Sequence, residues 1–468
     1  MIRITPTGAQ AIEMDEMKPN SKPAVAPGPG DPAAPSARMV ALELLARVLE
    51  QKRPLEEAFE RLPDLGKLEN RDRQFVRALT AATLRHLARI DRILALCLER
   101  PLPERARAVR NVLRLGAAQL LILGTPAHAA VDSMVALTAG LGGAAGYKGL
   151  VNAVLRRIAG EGAQFLAMVP PGAASLPDWL WESWSKAYGA EPAARIAAAL
   201  LNEPPLDFSV KHAAESAQWA EKLHAKVMPG GTLRRAAHDP ERPQHLGAAP
   251  GYAEGAWWVQ DFAASLPVKL LGDVSGQRVL DLCAAPGGKT AQLVAAGATV
   301  TALDRSEDRL NRLKINLERL GLSATCEAAD AAMWDSEKDF DVVLLDAPCS
   351  STGTLRRHPD VAWIKDPRDI SKLGAAQDRL LDAAVRLARP GGTLLYCVCS
   401  LQPEEGPERI AAALKRHAGL ARAPLQETEV FGLSELLTAD GDLRTLPCHL
   451  AGEGGMDGFF AARLVKAG

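Results

Sequence analysis

Residues 279–290 read Val279-Leu-Asp-Leu-Cys-Ala-Ala-Pro-Gly-Gly-Lys-Thr290, an apolar run that passes directly into a glycine turn. The pattern is typical of a buried strand followed by the start of a helix. Glycine lets the backbone approach a ligand closely, and the free N–H groups of a helix N-terminus attract its polar part. The Gly-x-x-x-x-Gly-Lys spacing of a phosphate-binding P-loop is missing. A plain strand-to-helix connection would look similar, so the turn needs support from other positions.

The sequence around this turn alternates between strand-like and helical segments. Strands are predicted at 278–283, 299–304, 325–329, 341–346, 393–398 and 459–465, and helices at 309–320 and 375–388. This alternation predicts an α/β Rossmann-like domain over residues 266–468, in which a doubly wound parallel sheet binds ligands beyond the carboxyl ends of its strands.

Three aspartates fall at this ligand-binding edge. Asp281 lies in the first strand, Asp304 ends the second, and Asp330 follows the third. A carboxylate at the end of the second strand can accept hydrogen bonds from ribose hydroxyls, and Asp330 falls near the expected place of an adenine. Each aspartate alone is a common helix cap or turn residue. Three aspartates at the same edge of successive strands favour a nucleoside site.

Two further strand ends carry cysteines, in Asp346-Ala-Pro-Cys349 and in Cys397-Val-Cys399-Ser-Leu-Gln-Pro-Glu-Glu405. Because the carboxyl ends of parallel strands meet at one edge of a sheet, both motifs should face the same crevice. A lone cysteine after a strand is usually a small buried hydrophobic residue. Two cysteines at the ligand-binding edge indicate thiol chemistry instead.

The part of the chain from residue 37 to 165 has the pattern of helices, with apolar residues at spacings of three and four, as in Leu42, Leu45 and Leu49. Residues 36–157 hold 20 Lys and Arg against 12 Asp and Glu, a local charge of +8 in a chain of net charge −1. This region can therefore meet phosphates, although the whole-chain charge gives no argument for nucleic acid. The pattern alone favours a solvated helix face over an RNA-binding face.

Two other regions complete the predicted domain organisation. Residues 1–36 are rich in Pro, Ala and Gly, and we predict that they form a disordered tail. Pro170 and Pro171 mark a boundary. Residues 166–265 are predicted to form a linker helix and a small α+β domain, because the apolar segments there become short and mixed.

Composition argues against several classes of protein. Hydrophobic residues make up 47% of the 468 residues, and no apolar run approaches the roughly 20 residues that a membrane span needs. Seven cysteines, an odd number without a signal peptide, favour free thiols in a reducing cytoplasm over a disulfide framework. They form no Cys-x-x-Cys pair, so no metal site is expected.

The cysteine motifs resemble those of the NOL1/NOP2/Sun family of RNA cytosine-5 methyltransferases. The helical region resembles the antiterminator NusB at Asn70-Arg-Asp-Arg73, Leu113-Arg-Leu-Gly-Ala-Ala-Gln119 and Val151-Asn-Ala-Val-Leu-Arg-Arg157, and the whole resemblance covers about residues 37–466. It implies an S-adenosylmethionine-dependent enzyme that makes 5-methylcytosine in small-subunit (16S) ribosomal RNA, with an RNA-binding NusB-like domain. Since the base must leave its stack, the expected partner is naked RNA or an assembly intermediate. We expect a cytoplasmic monomer.

The resemblance also implies roles for the chemistry-bearing residues. Carbon 5 of cytosine is a poor nucleophile, so a thiolate must first add at carbon 6 to form an enamine. By the family's pattern Cys399 is this nucleophile and Cys349 assists product release. Asp346 would bind the base at nitrogen 3 and the amino edge, Lys289 would help to position it, and Pro348 would shape the turn. In DNA cytosine methyltransferases the Pro-Cys cysteine is the nucleophile, so the reversed assignment stays open.

The same family pattern implies which residues hold S-adenosylmethionine. They are Asp281, Cys283, Ala284, Ala285, Pro286, Gly287, Lys289, Asp304, Arg309, Asp330 and Asp346. From its position alone, Cys283 is most simply a core residue.

The sequence departs from the family pattern at two positions. Residue 398 is Val where the family usually has Thr, and Cys397 is an additional cysteine, which we predict to point away from Cys399 and to pack in the core. Two alternatives remain. One is an RNA-binding or antitermination factor with a vestigial catalytic half, against which the intact pair Cys349 and Cys399 argues. The other is the same chemistry on transfer RNA or large-subunit RNA.

Overall fold

A computed structural model describes residues 36–237, 239, 246–336 and 339–468, so the predicted tail lies outside the described residues except for Ser36. The N-terminal region is helical, and its apolar stripes form one core that includes Leu45, Leu79, Leu113 and Leu155. Its helices are α1 (Ala37–Leu49), α2 (Leu55–Glu60), α3 (Asn70–Arg85), α4 (Leu87–Cys97), α5 (Arg107–Leu121), α6 (Ala127–Gly140) and α7 (Lys148–Met168). None of the helices in the described ranges of the chain is long and apolar enough to cross a membrane.

A small sheet follows two connecting helices, α8 (Asp178–Tyr188) and α9 (Ala190–Ala199). The elements of this part are β1 (Leu206–Val210), α10 (Ser216–Lys222), β2 (Lys226–Val227), β3 (Leu233–Arg235) and β4 (Trp257–Val259). The strands pair antiparallel in the order β2-β3-β1-β4. Phe208 and Trp257 pack edge to face in the core, with ring centroids 4.8 Å apart.

The Rossmann-like domain contains the large sheet. Its elements are α11 (Phe262–Lys269), β5 (Arg278–Leu282), α12 (Gly288–Ala295), β6 (Thr299–Asp304), α13 (Glu307–Leu320), β7 (Thr325–Ala328), β8 (Phe340–Asp346), α14 (Val361–Ile364), α15 (Pro367–Leu387), β9 (Ala388–Val398), α16 (Pro407–Arg416), β10 (Leu420–Arg422), β11 (Leu443–Thr445) and β12 (Phe459–Lys466). The strand order is β10-β12-β9-β8-β5-β6-β7, with β11 beside β12. From β5 the chain first adds β6 and β7 on one side and then β8 and β9 on the other side, as in a doubly wound sheet. The predicted α/β Rossmann-like class is therefore confirmed.

Two details of this sheet differ from the prediction. The sheet is mixed, because β10, β11 and β12 run antiparallel to their neighbours. Strand β9 also begins five residues earlier than predicted, at Ala388, which pairs with Phe340 before a register shift. The segment Arg389-Pro-Gly-Gly392 therefore lies inside a strand, although Pro and Gly usually mark its boundary.

The helical region packs directly on the loop that follows Cys349. Asp360 Oδ2 accepts from the backbone N–H of Leu55 at 3.0 Å, at the start of α2. Trp363 Nε1 donates to the carbonyl of Leu84 at 2.9 Å, and Lys52 Nζ donates to the carbonyl of Trp363 at 2.7 Å. The loop after Cys349 is thus held in place by residues about 300 positions earlier in the chain.

Candidate active site

The two cysteine motifs meet because β8 and β9 are parallel neighbours in the sheet. Their register pairs Asp346 with Cys397, so the loops that follow these strands begin side by side. The backbone N–H of Gly353 donates to the carbonyl of Cys399 at 3.0 Å and ties the loops together. The sulfur atoms of Cys349 and Cys399 lie 3.5 Å apart, within hydrogen-bonding distance.

The two thiols differ in how readily they ionise. The hydrogen bond with Cys349 lowers the pKa of Cys399 and outweighs the opposing effect of burial. The same hydrogen bond, together with burial, raises the pKa of Cys349 well above its ordinary value. Ser351 Oγ lies 3.6 Å from Cys399 Sγ and lowers the pKa of Cys399 further. The arrangement therefore favours a thiolate on Cys399 and a thiol on Cys349.

A lysine and a carboxylate lie beside the thiols. Lys289, in the first turn of α12, donates from Nζ to Asp346 Oδ2 at 2.7 Å. Burial lowers the pKa of Lys289, but the charge and hydrogen bond of the Asp346 carboxylate, together with the charge of a Cys399 thiolate, raise it. The ammonium group thus stays charged and stabilises negative charge on neighbouring groups.

The predicted orientation of Cys397 is wrong. Cys399 directly follows the end of β9, and its side chain packs against the same core cluster as those of Cys397 and Leu395. Cys397 and Cys399 therefore lie on the same side of the sheet, as expected for residues two apart in extended chain. Cys397 Sγ lies 3.6 Å from Asp346 Oδ1. Cys397 is fully buried, and burial raises the pKa of its thiol well above the ordinary value. Cys397 is a protonated packing residue that contacts the carboxylate beside the thiol pair.

Asp281 is buried beneath the glycine turn. Its Oδ2 accepts from Thr290 Oγ1 at 2.6 Å, whereas its Oδ1 has no hydrogen-bond partner among the described residues. Burial raises the pKa of Asp281 to about 7. A buried oxygen without a partner is costly, so a donor from a ligand would be stabilised at this position.

The other two predicted aspartates occupy different surroundings. Asp304 is buried, accepts from the backbone N–H of Ala285 at 3.2 Å, and forms an ion pair with Arg309 at 3.3 Å. Arg309 also donates to the carbonyl of Ala285. Asp304 thus fixes the glycine turn to the end of β6. Asp330 is exposed, and its Oδ1 accepts from the backbone N–H of Ala332 at 3.0 Å, as a turn residue does.

A cavity of about 660 Å³ contains the thiols at the end of the sheet. The predicted site residues that line it are Asp281, Ala284, Pro286, Lys289, Arg309, Asp346, Cys349 and Cys399. Those that lie outside its lining are Cys283, Ala285, Gly287, Asp304 and Asp330. Both a polar cofactor and a base would therefore contact the same enclosed space.

Two of the residues outside the lining have clear structural reasons for their type. Gly287 has φ 101°, and a Cβ there would lie 2.7 Å from Leu313, so close packing against α13 requires glycine. Burial raises the pKa of Cys283 to about 12, and its thiol packs against the core. Cys283 is therefore a poor candidate for a nucleophile.

Arg357 and His358 line the cavity, although no motif pointed to them. Burial lowers the pKa of Arg357, but Asp457 and Asp261 outweigh this effect and raise it, and Arg357 forms an ion pair with Asp457. Burial lowers the pKa of His358 to about 4, so its imidazole is neutral near pH 7. The only signal in the sequence was their position shortly after Cys349.

The residues that the structure describes contain no cluster of His, Cys, Asp and Glu that could hold a metal ion.

Comparisons with known proteins identify the family of this chain. The model of the 16S rRNA methyltransferase RsmB/F family matches residues 268–465, and that of the NusB family matches residues 35–160. The chain is 38% identical over 442 residues to the ribosomal RNA small subunit methyltransferase B of Pseudomonas putida. It is 34% identical over 449 residues to the protein of the same name from Erwinia tasmaniensis. Each alignment covers 92% of this chain and 98% of the relative.

Solved structures share the fold. The crystal structure of PH0851 has a TM-score of 0.67 at 22% identity and covers 92% of this chain and 99% of its own. NSun6 from Pyrococcus horikoshii, solved with SFG, has a TM-score of 0.53 at 19% identity and covers 63% of this chain and 99% of its own. The resemblance inferred from the motifs is confirmed by the relatives above 30% identity. The chain belongs to the RsmB/F family of S-adenosylmethionine-dependent 16S rRNA methyltransferases.

Proposed function

We propose that this enzyme methylates carbon 5 of a cytosine in small-subunit ribosomal RNA, with Cys399 as nucleophile and Cys349 as the residue that assists product release. The observation that carries the proposal is the 3.5 Å approach of two thiols whose pKa values move in opposite directions. A thiolate next to a neutral thiol supplies a nucleophile and a proton-transfer group within reach of one base.

The first step belongs to Cys399. Its thiolate adds to carbon 6 of the flipped base, so that a sulfur–carbon bond forms and the π electrons of the 5,6 double bond move toward carbon 5 and nitrogen 3. Asp346, held by Lys289, would bind the nitrogen 3 and amino edge of the base and keep it above the thiolate. S-adenosylmethionine, when bound, supplies the methyl group that carbon 5 accepts.

The last step returns the enzyme to its starting state. A water molecule takes the proton from carbon 5, the electron pair of that bond restores the 5,6 double bond, and the sulfur–carbon bond breaks with its electrons returning to Cys399. Cys349 lies close enough to Cys399 to help the sulfur leave, by donating its hydrogen bond to the emerging thiolate.

The cofactor site that we propose lies beside the same cavity. Asp281, with its unpartnered Oδ1, would accept a hydrogen bond from the cofactor's ammonium group, and Ala284 and Pro286 would contact it through the glycine turn. Asp304 and Asp330 end or follow neighbouring strands, where they would meet the ribose and the adenine. The unpartnered buried oxygen is the feature that fits a cationic ligand.

Binding of S-adenosylmethionine is expected to weaken as the pH falls below about 7, because Asp281 must then release a proton to pair with the ammonium group. The dissociation constant should rise by up to about tenfold per pH unit below this value and level off above it. Isothermal titration calorimetry across this range measures the slope. Asp281→Asn should bind S-adenosylmethionine more weakly. Its dissociation constant should lose the part of the pH dependence that comes from Asp281 and keep the part that comes from the cofactor's own titration. Equal slopes in the two proteins would contradict the role of Asp281.

The helical domain is proposed to bind the RNA. Its local charge of +8 can attract phosphates, and its contacts with Asp360 and Trp363 place it beside the cavity. A flipped cytosine requires single-stranded or loosened RNA, so naked RNA or an assembly intermediate is the proposed substrate. We further propose that the enzyme acts as a monomer in the cytoplasm, where ribosomes are assembled.

The test of this function is transfer of labelled methyl from S-adenosylmethionine to unmodified small-subunit RNA, with the product mapped by bisulfite sequencing. We expect methylation at a single cytosine. Label in another base, or no transfer to this RNA while large-subunit or transfer RNA is methylated, would contradict the proposal.

A further inference from the structure

Glu405 is a buried carboxylate behind the two cysteine loops, with no exposed surface. It accepts from the backbone N–H of Ser350 at 2.9 Å and from Ser350 Oγ at 2.5 Å. It also accepts from Ser400 Oγ at 2.5 Å and from Gln377 Nε2 at 3.2 Å. These four donors satisfy the carboxylate, which explains how its charge is tolerated in the interior.

The partners of Glu405 connect the two thiols. Ser350 directly follows Cys349 in the chain, and Ser400 directly follows Cys399. One carboxylate oxygen, Oε2, accepts from both serine hydroxyls, which also lie 3.1 Å from each other. Glu405, which contacts neither sulfur, therefore adds a bridge between the two loops to the bond between Gly353 and Cys399.

The contacts of Glu405 are not symmetrical between the two cysteines. Glu405 binds the peptide N–H immediately after Cys349, and Gln377 joins the carboxylate to the carbonyl of Pro348, immediately before it, at 2.9 Å. On the side of Cys399, Ser400 Oγ is the one group among the described residues that donates to the carboxylate.

The charge of Glu405 is not neutralised locally. The four donors are neutral groups, and Glu405 takes part in no ion pair among the described residues. A negative charge in the interior opposes the formation of a second one nearby. In agreement with this, Glu405 is one of the groups that raise the pKa of Cys349.

We propose that Glu405 is the positioning residue of the thiol pair, which bridges the two cysteine loops and places a buried negative charge beside the loop of Cys349. This inference rests on the proposed function for its catalytic meaning. The distribution of the proton, however, can be measured without RNA.

The experiment compares Glu405→Gln with the wild type and with Glu404→Gln, an exposed neighbour that serves as the matched control. Each thiol of the full-length protein is alkylated with iodoacetamide over a range of pH, and labelling at each cysteine is quantified by mass spectrometry. In Glu405→Gln we expect labelling of Cys349 to begin about one pH unit lower, because a nearby charge is lost. The control should match the wild type.

Steady-state kinetics supply the second readout. Glu405→Gln should lower kcat about tenfold or more, which is the effect expected for losing hydrogen bonds to a charged group, with the KM for RNA changed less than about twofold. Unshifted labelling of both cysteines in a variant that melts as the wild type does would overturn the proposal. Failure of methyl transfer in all proteins would count against the proposed function and leave the labelling result valid.

A second variant covers the case in which Glu405→Gln does not fold. Ser350→Ala removes one donor and keeps the charge, so kcat should fall while Cys399 remains the first thiol to be labelled. A wild-type kcat in Ser350→Ala would overturn the positioning role.

Discussion

Cys399→Ala is expected to abolish methyl transfer, with a loss of at least about four orders of magnitude, as is found when a nucleophile is removed from a catalytic group that acts as a unit. Without Sγ no bond forms to carbon 6, and carbon 5 remains too weak a nucleophile to accept a methyl group. Transfer of labelled methyl to small-subunit RNA measures the loss. Trapping with RNA that contains 5-fluorocytosine measures the covalent bond independently, and no complex should form.

The matched control for this prediction is Cys97→Ala, which removes a half-buried thiol from the helical domain. It should keep nearly full activity. Cys399→Ser tests the chemistry more finely, because the hydroxyl retains the shape of the site but ionises far less readily than a thiol. Substantial methylation by Cys399→Ala, combined with loss in Cys349→Ala, would assign the nucleophile to the Pro-Cys motif instead.

Most strands of this sheet could be predicted from sequence because they are buried and largely apolar. Predicted strand 299–304 matches β6 at both ends, and predicted strand 459–465 matches β12 to within one residue. Both cysteine motifs could be placed at one edge because the carboxyl ends of parallel strands meet there. Strand β9 was less predictable, since its first residues include Pro390 and two glycines, which local patterns assign to a turn.

The remainder of the site depends on contacts between distant parts of the chain. Glu405 is in a quoted motif, but its partners Ser350 and Gln377 are 55 and 28 residues away. Arg357, which lines the cavity, forms its ion pair with Asp457, 100 residues later in the chain. The packing of Asp360 on Leu55 joins residues 305 positions apart. Local spacing carries no information about which of many polar residues meet in this way.

The prediction that Cys397 points away from Cys399 is wrong for a local reason. Residues 397 and 399 are two apart in extended chain, so their side chains lie on the same side and pack against one core cluster. The corrected placement matters for the chemistry, because the thiol of Cys397 lies beside Asp346 Oδ1 and remains protonated. The thiol pair at the centre of the site is formed by the other two cysteines.

Cys349→Ala is expected to form the covalent adduct and to remain bound to its RNA. In the proposed mechanism the nucleophile of the first step is the Cys399 thiolate, which this variant keeps, whereas the last step needs a group that helps the sulfur leave carbon 6. We therefore expect about one methyl group transferred per enzyme molecule, followed by a complex that survives a denaturing gel. Formation of this complex should require S-adenosylmethionine and should be absent from the double variant with Cys399→Ala.

The pH dependence of adduct formation separates the two roles of Cys349. Its hydrogen bond is the largest contribution that lowers the pKa of Cys399, so Cys349→Ala should raise that pKa. A raised thiol pKa means less thiolate at a given pH, and adduct formation should then require a higher pH than in the wild type. Cys349→Ser keeps a hydroxyl donor, so the pH that it needs for adduct formation should lie between those of the wild type and Cys349→Ala. An unchanged pH profile with normal turnover in Cys349→Ala would show that the hydrogen bond between the sulfurs has no part in catalysis.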